Sequence, residues 1–169
     1  MTIRPRSHRL PAASQCALVS ALMGLPVAAN AATATTTFSV TATVLATCAV
    51  SATPVVLGNY SGSQLDGTGT ISVLCTNATT YTVALDAGVG VGATVSVRKM
   101  TGPSSQTLNY SLYHDAGRSS VWGSTVGTDT SAGAGSGLAQ SITVYGRIPA
   151  TQAPNAGAYS DTVTVTVAY

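Results

Sequence analysis

The chain has no glutamate, a single lysine, one phenylalanine and one tryptophan, and only 7% of its 169 residues are charged. Its carboxylates are all aspartates. No spacing among them recommends a pair for glycoside cleavage, which needs two carboxyl groups on either side of the scissile bond. Histidine is equally scarce. His114 is the one that lies beyond the first 31 residues, and no Gly-x-Ser-x-Gly elbow accompanies it, so a Ser/His/Asp hydrolase has nothing to be built from. His114 precedes Asp115 and Gly117 and reads as a turn residue. The triplets Gly88, Gly90, Gly92 and Gly133, Gly135, Gly137 lead into neither a capped helix nor a P-loop lysine, so they are flexible connections rather than phosphate cradles. With no catalytic apparatus, cofactor motif or metal-ligand spacing, the pattern argues for a structural or binding protein and against an enzyme.

Three of the seven basic residues, Arg4, Arg6 and Arg9, stand ahead of an apolar stretch from Ala17 to Ala29 that ends in Ala29-Asn30-Ala31. This is the layout of a secretory signal peptide over residues 1–31, with cleavage expected after Ala31. Ser20, Gly24 and Pro26 interrupt the stretch, which is too short for a bilayer span, and Cys16 follows Gln15, the wrong setting for a lipid-modified cysteine. Beyond residue 31, four basic residues face five aspartates, a net charge of −1. The positive balance of the whole chain therefore belongs to the leader, and no nucleic acid or anionic membrane is expected as a partner. Export also places Cys48 and Cys75 in an oxidising compartment, where an isolated pair is expected to bridge. Their separation of 27 residues makes that bond worth roughly 3.5 kcal/mol in the chain-entropy description.

What the chain does contain is Thr, Ser, Gly, Ala and Val in strand periods. Phe38, Val40, Ala42 and Val44 alternate with Ser39, Thr41 and Thr43, which places one apolar and one polar face on an extended segment. An apolar segment from Cys48 to Leu57 is broken by Pro54, the mark of an edge or bulge, and a turn-rich stretch follows from Gly58 to Gly69. Ile71, Val73, Cys75 and Tyr81, Val83, Leu85 read as two neighbouring antiparallel strands joined by a short polar connection. Val95 and Val97 pair with Leu108, Tyr110 and Leu112 in a hairpin turning at Gly102-Pro103-Ser104-Ser105. Residues 116–137 read as a long surface connection with at most a short strand near Trp122, whose ring belongs to the core or a hairpin. Ile142, Val144 and Ile148 form another strand. The plainest pattern is YSDTVTVTVAY, with Tyr159, Val163, Val165, Val167 and Tyr169 on one face.

About seven short strands without a helix imply an all-β sandwich of immunoglobulin-like type. Its best strand comes last, so a neighbour for that strand has to come from the leading segment or from a second molecule. The alternating segment ending in Cys48, Cys75 on the strand from Ile71, LNYSLYHD at Leu108–Asp115 and the terminal GAYSDTVTVTVAY together resemble the spore coat protein U domain family, which includes subunits of archaic, Csu-type chaperone–usher pili. The resemblance runs over the whole chain beyond the leader and is most specific in Gly157-x-Tyr159-x-Asp161-Thr162-Val163. It implies an incomplete immunoglobulin-like β-sandwich over residues 47–169, completed by donor-strand exchange. Residues 32–46 would be the donor extension, and a heterologous, non-closing contact of this kind produces an open filament. Under it, Phe38, Val40, Ala42 and Val44 are donor-face residues. Val163, Val165 and Val167 line the acceptor groove, and Tyr169 marks the end that a periplasmic chaperone holds. The implied partners are other pilus subunits, the chaperone and an outer-membrane usher. The implied setting is a surface fimbria serving attachment and biofilm formation. The pattern of Phe38 to Val44 is equally that of a first strand folded back into its own sandwich, as a self-contained coat protein would have, and a pilus-associated adhesin is the third reading.

Overall fold

The computed structural model describes residues 31–169, so the expected signal peptide falls outside the described residues except for Ala31. The chain divides into two units, one ending at Thr41 and the other running from Ala42 to Tyr169. The described part of the first, residues 31–41, has no regular secondary structure, and neither do residues 42–47. The strand expected over Phe38–Val44 is thus absent. An alternating sequence makes an extended chain, and a ladder partner is required before it becomes a strand.

The second unit is all-β. Its eight strands are β1 (Cys48–Thr53), β2 (Leu65–Cys75), β3 (Thr80–Leu85), β4 (Arg98–Thr101), β5 (Thr107–Tyr113), β6 (Ser131–Ala134), β7 (Ala139–Ile148) and β8 (Val165–Ala168), with one short 3-10 turn at Pro103–Ser105. All pairs are antiparallel. One sheet has five strands in the order β1-β2-β7-β5-β4 and the other three in the order β6-β3-β8. Side-chain alternation builds the core between them: Ile71, Val73 and Cys75 from β2 and Leu108, Tyr110 and Leu112 from β5 face Tyr81, Val83 and Leu85 from β3.

Several expectations change register or place. Ile71–Cys75 and Tyr81–Leu85 are adjacent in sequence but not paired. β2 bonds to β1 and β7, while β3 bonds to β6 and β8 in the opposite sheet. Both strands have an apolar face that points to the same core from opposite sides, and alternation alone cannot tell a hairpin from such a corner. β2 also begins at Leu65, inside the stretch read as turns, because Gly67 and Gly69 lie in the ladder opposite Gly146 and Val144. The hairpin at Pro103 is present, with its first strand shifted to Arg98–Thr101. β8 is shorter than its pattern, and Ser160 contributes only a single bridge to Thr101. Within residues 116–137, β6 pairs with β3 and Trp122 is fully buried, its indole N–H donating to the Val83 carbonyl at 2.9 Å.

Arg98 is the one buried charged residue among those described. Its guanidinium donates to the carbonyls of Asp86 (2.8 Å), Val95 (2.8 Å), Leu85 (3.2 Å) and Trp122 (2.8 Å), so one side chain from the five-stranded sheet fastens the end of β3 and the Trp122 loop. Burial holds its pKa below the ordinary value, with the nearby Tyr110 and the carboxylates of Asp86, Asp161 and Asp129 acting in the opposite sense. Every buried side-chain polar atom among the described residues has a partner.

Cys48 and Cys75 face each other across β1 and β2 and are joined by a disulfide. Apart from Cys48, every residue of β1 is exposed, so burial contributes little to holding this strand. Replacing Cys48 with Ser should lower the unfolding free energy by about 3 kcal/mol. Urea titration of the oxidised protein and the variant checks this, and equal midpoints would show that the bond carries no stability.

Candidate functional site: an open edge over an apolar groove

β8 is an edge strand, bonded on one side only, to β3. The Asp86 amide donates to the Thr164 carbonyl at 3.2 Å, which fixes which residues of the antiparallel pair exchange hydrogen bonds. By the two-residue alternation of such pairs, Thr166 and Ala168 also turn their backbone groups toward β3. Val165 and Val167 therefore direct their N–H and C=O groups outward, away from β3, while their side chains point into the sandwich. The opposite wall is the edge strand β1 and the segment after it.

Between these walls lies a cavity of about 450 Å³. Its lining comprises Ala52, Val55 and Leu57 from the end of β1 and the segment after it, Tyr159, Val163 and Val165 from β8 and its lead-in, and the core residues Ile71, Leu85, Met100, Tyr110, Leu112 and Val144. The lining is mainly aliphatic and aromatic, with one carboxylate, Asp161, at the rim. Apolar surface of this kind favours an occupant with apolar side chains at every second position, because the rim offers a row of backbone donors and acceptors at strand spacing.

Asp161 shapes one end of the groove. Its carboxylate accepts from the Tyr110 hydroxyl at 2.6 Å, the Val89 amide at 2.9 Å and the Thr162 amide at 2.8 Å. Tyr110 belongs to the five-stranded sheet and Asp161 to the lead-in of β8, so this bond ties the two sheets together beside the opening. Burial, reinforced by the bond to Asp161, pushes the Tyr110 phenol well above its ordinary pKa. Asp86 performs the matching task one step along, accepting from the amides of Gly88 and Thr164, each at 2.9 Å. Burial works against its ionisation, yet the hydrogen bonds from Thr164 and Gly88 outweigh it and hold the carboxyl below the ordinary value of 3.8.

Of the residues singled out in the sequence, Val163, Val165 and Val167 are half-buried against the core, and the first two line the cavity. Phe38, Val40 and Val44 are 85%, 84% and 82% exposed, and Ala42 is exposed as well. Tyr169 is exposed and borders a shallow depression with Val44 and the Thr76–Thr80 turn. His114 occupies the turn after β5, edge-on to Trp122 at 6.1 Å between ring centroids. Val55, Leu57, Met100, Tyr110 and Asp161 were not read as groove residues. The Tyr159-x-Asp161 spacing was the available signal for the last of them. No group of three His, Cys, Asp or Glu among the described residues is placed to hold a metal.

Two packed antiparallel sheets without an α-helix are the fold of immunoglobulin-like chaperone–usher pilus subunits. The chain belongs to the spore coat protein U family: the Spore Coat Protein U domain matches over residues 34–166. It is 38% identical over 121 residues to Protein U of Myxococcus xanthus, covering 69% of this chain and 67% of that protein. It is also similar, at 26% identity and a TM-score of 0.55, to the crystal structure of the CsuC–CsuE chaperone–tip adhesion subunit pre-assembly complex from the archaic chaperone–usher Csu pili of Acinetobacter baumannii. That likeness covers 75% of this chain and 40% of the other, so the chain spans less than half the length of that relative.

Replacing Tyr110 with Phe should cost about 1 to 2 kcal/mol, since Asp161 loses a donor inside the fold. Calorimetric melting compared with the unaltered chain tests this. The depressed Asp86 pKa carries a sign: its contribution to stability is complete above 3.8 and is lost as pH falls through the lower folded-state value. Stability measured by denaturation should therefore fall more gently with acidification in Asp86→Asn than in the unaltered protein, and parallel curves would contradict the assignment.

Proposed function

We propose that this chain is a structural subunit of a chaperone–usher pilus, polymerising by insertion of its residues 32–46 into the groove of the next subunit and serving surface attachment and biofilm formation. The observation that carries the reading is the outward row of N–H and C=O groups on β8 above a groove lined by Val163, Val165 and Ile71. Family membership and the likeness to a chaperone–subunit complex support it.

In this reading residues 1–31 direct export and are removed. Phe38, Val40, Ala42 and Val44 enter the groove of a neighbour. Burying one Phe and two Val at roughly 1.5 to 3 kcal/mol each supplies on the order of 5 to 8 kcal/mol before ordering costs, and the ladder to β8 adds to it. Before assembly, a bare edge and an apolar groove invite unspecific pairing. A periplasmic chaperone covers them, holding the end near Tyr169, and an outer-membrane usher hands the subunit to the growing fibre. The non-closing contact makes the product a filament.

Deletion of residues 32–46 should leave a subunit that still binds a chaperone yet forms no filaments, as seen by electron microscopy of the secreting cells. A Val40→Asp subunit should likewise fail to polymerise, because the donor face would carry an unpaired charge into an apolar pocket. Filaments at the unaltered rate from the deletion would remove residues 32–46 from the mechanism and favour a self-contained coat protein, and the same result from Val40→Asp would show that the proposed donor face is wrong.

A further inference from the structure

The segment after β1 departs from its sheet in a distinctive way. Pro54 ends the ladder with β2, and the chain then passes over the inner face of the five-stranded sheet. Val55 and Leu57 are half-buried there, and Val56 points outward. The passage is possible because the sheet is bare at three positions on that face. A Cβ at Gly146 would lie 2.7 Å from a methyl of Val55, one at Gly69 would lie 2.8 Å from both the other methyl and the Thr53 carbonyl oxygen, and one at Gly67 would lie 2.5 Å from the Val56 carbonyl oxygen and 3.1 Å from a methyl of Leu57. Gly67 and Gly146 are direct partners across β2 and β7, and Gly69 is two residues along, so the three form a single bare patch. Both side chains seated in it also line the groove, together with Val163 and Val165.

We propose that Val55 and Leu57 are specificity-determining residues: seated on the patch made by Gly67, Gly69 and Gly146, they set how wide the groove is and so which side chain an inserted strand places against them. This rests on the donor-strand reading above and adds the selectivity element to it. Depth is governed from behind the wall. A methyl added at Gly146 pushes Val55 toward the groove, and truncation of Val55 itself opens the same place. The partner is a strand whose inward residue at this level is matched in volume to the gap, and a strand one size larger is refused because the sheet behind the wall does not yield.

The test uses the chain from Ala32 to Tyr169 and fluorescent synthetic peptides of residues 32–46 in which Phe38, Val40, Ala42 or Val44 is enlarged or trimmed one at a time. Two variants are compared with the unaltered chain: Gly146→Ala, which narrows the groove, and Val55→Ala, which widens it. Overpacking should weaken binding of the unaltered peptide to Gly146→Ala by about tenfold and be relieved by trimming at one donor position. At that same position, Val55→Ala should accept an enlarged residue about tenfold better than the unaltered chain does. If Gly146→Ala does not fold, Val55→Ala alone carries the comparison, since it removes atoms without strain. Equal changes at all four positions, or no change in size preference, would overturn the selectivity role while leaving the donor-strand reading standing. Failure of the unaltered chain to bind any peptide would overturn that reading and this inference with it.

Discussion

A β-strand carries hydrogen-bonding groups along both of its sides, and β8 has a neighbour on only one. The rest of the molecule is organised around that imbalance. β3 satisfies one side, leaving Val165 and Val167 to present backbone groups outward while their side chains form part of the core. A core roofed on one flank by an unpaired strand is open to solvent along that flank, and the cavity between β8 and the β1 side is the direct result. An unpaired backbone row beside exposed apolar surface is unfavourable in water and becomes favourable when a strand is laid into it.

Several polar contacts of the fold brace the elements around this opening. Arg98 fastens the end of β3 through four carbonyls, and Asp86 and Asp161 fasten the lead-in to β8 through amides and the Tyr110 hydroxyl. On the other wall the disulfide holds the exposed β1 to β2 at its first residue. The glycine patch lets the following segment sink into the sheet. Both walls are thus positioned by interactions within the chain itself.

Much of this was legible in the sequence, and the illegible parts have physical causes. The all-β class, the final strand, the hairpin at Pro103 and the cysteine pairing follow from period-2 alternation, turn residues and oxidising export. Assignment of β2 and β3 to opposite sheets was not legible, because strands that pair and strands that face each other across a core share one alternation. Leu65–Gly69 reads as turns on account of glycines that instead make room for the backbone of residues 53–56 and the side chains of Val55 and Leu57. Trp122 was legible as a core or hairpin residue, but the contacts that seat it, the Val83 carbonyl and the Arg98 cap, lie far away in sequence. Within the groove, the valines of the terminal strand announced themselves, whereas Asp161 and Tyr110 act as a pair that only folding brings together.

The central claim is that β8 waits for a strand from another molecule. Residue-resolved amide hydrogen exchange of Val163, Val165 and Val167, measured in the isolated subunit and again in the assembled fibre, addresses it most directly. The account predicts rapid exchange at these amides in the isolated subunit and strong protection in the fibre, against a background of uniformly protected core amides in β2 and β3. Strong protection already present in the isolated subunit would mean that the edge is closed from within, and the account would be contradicted.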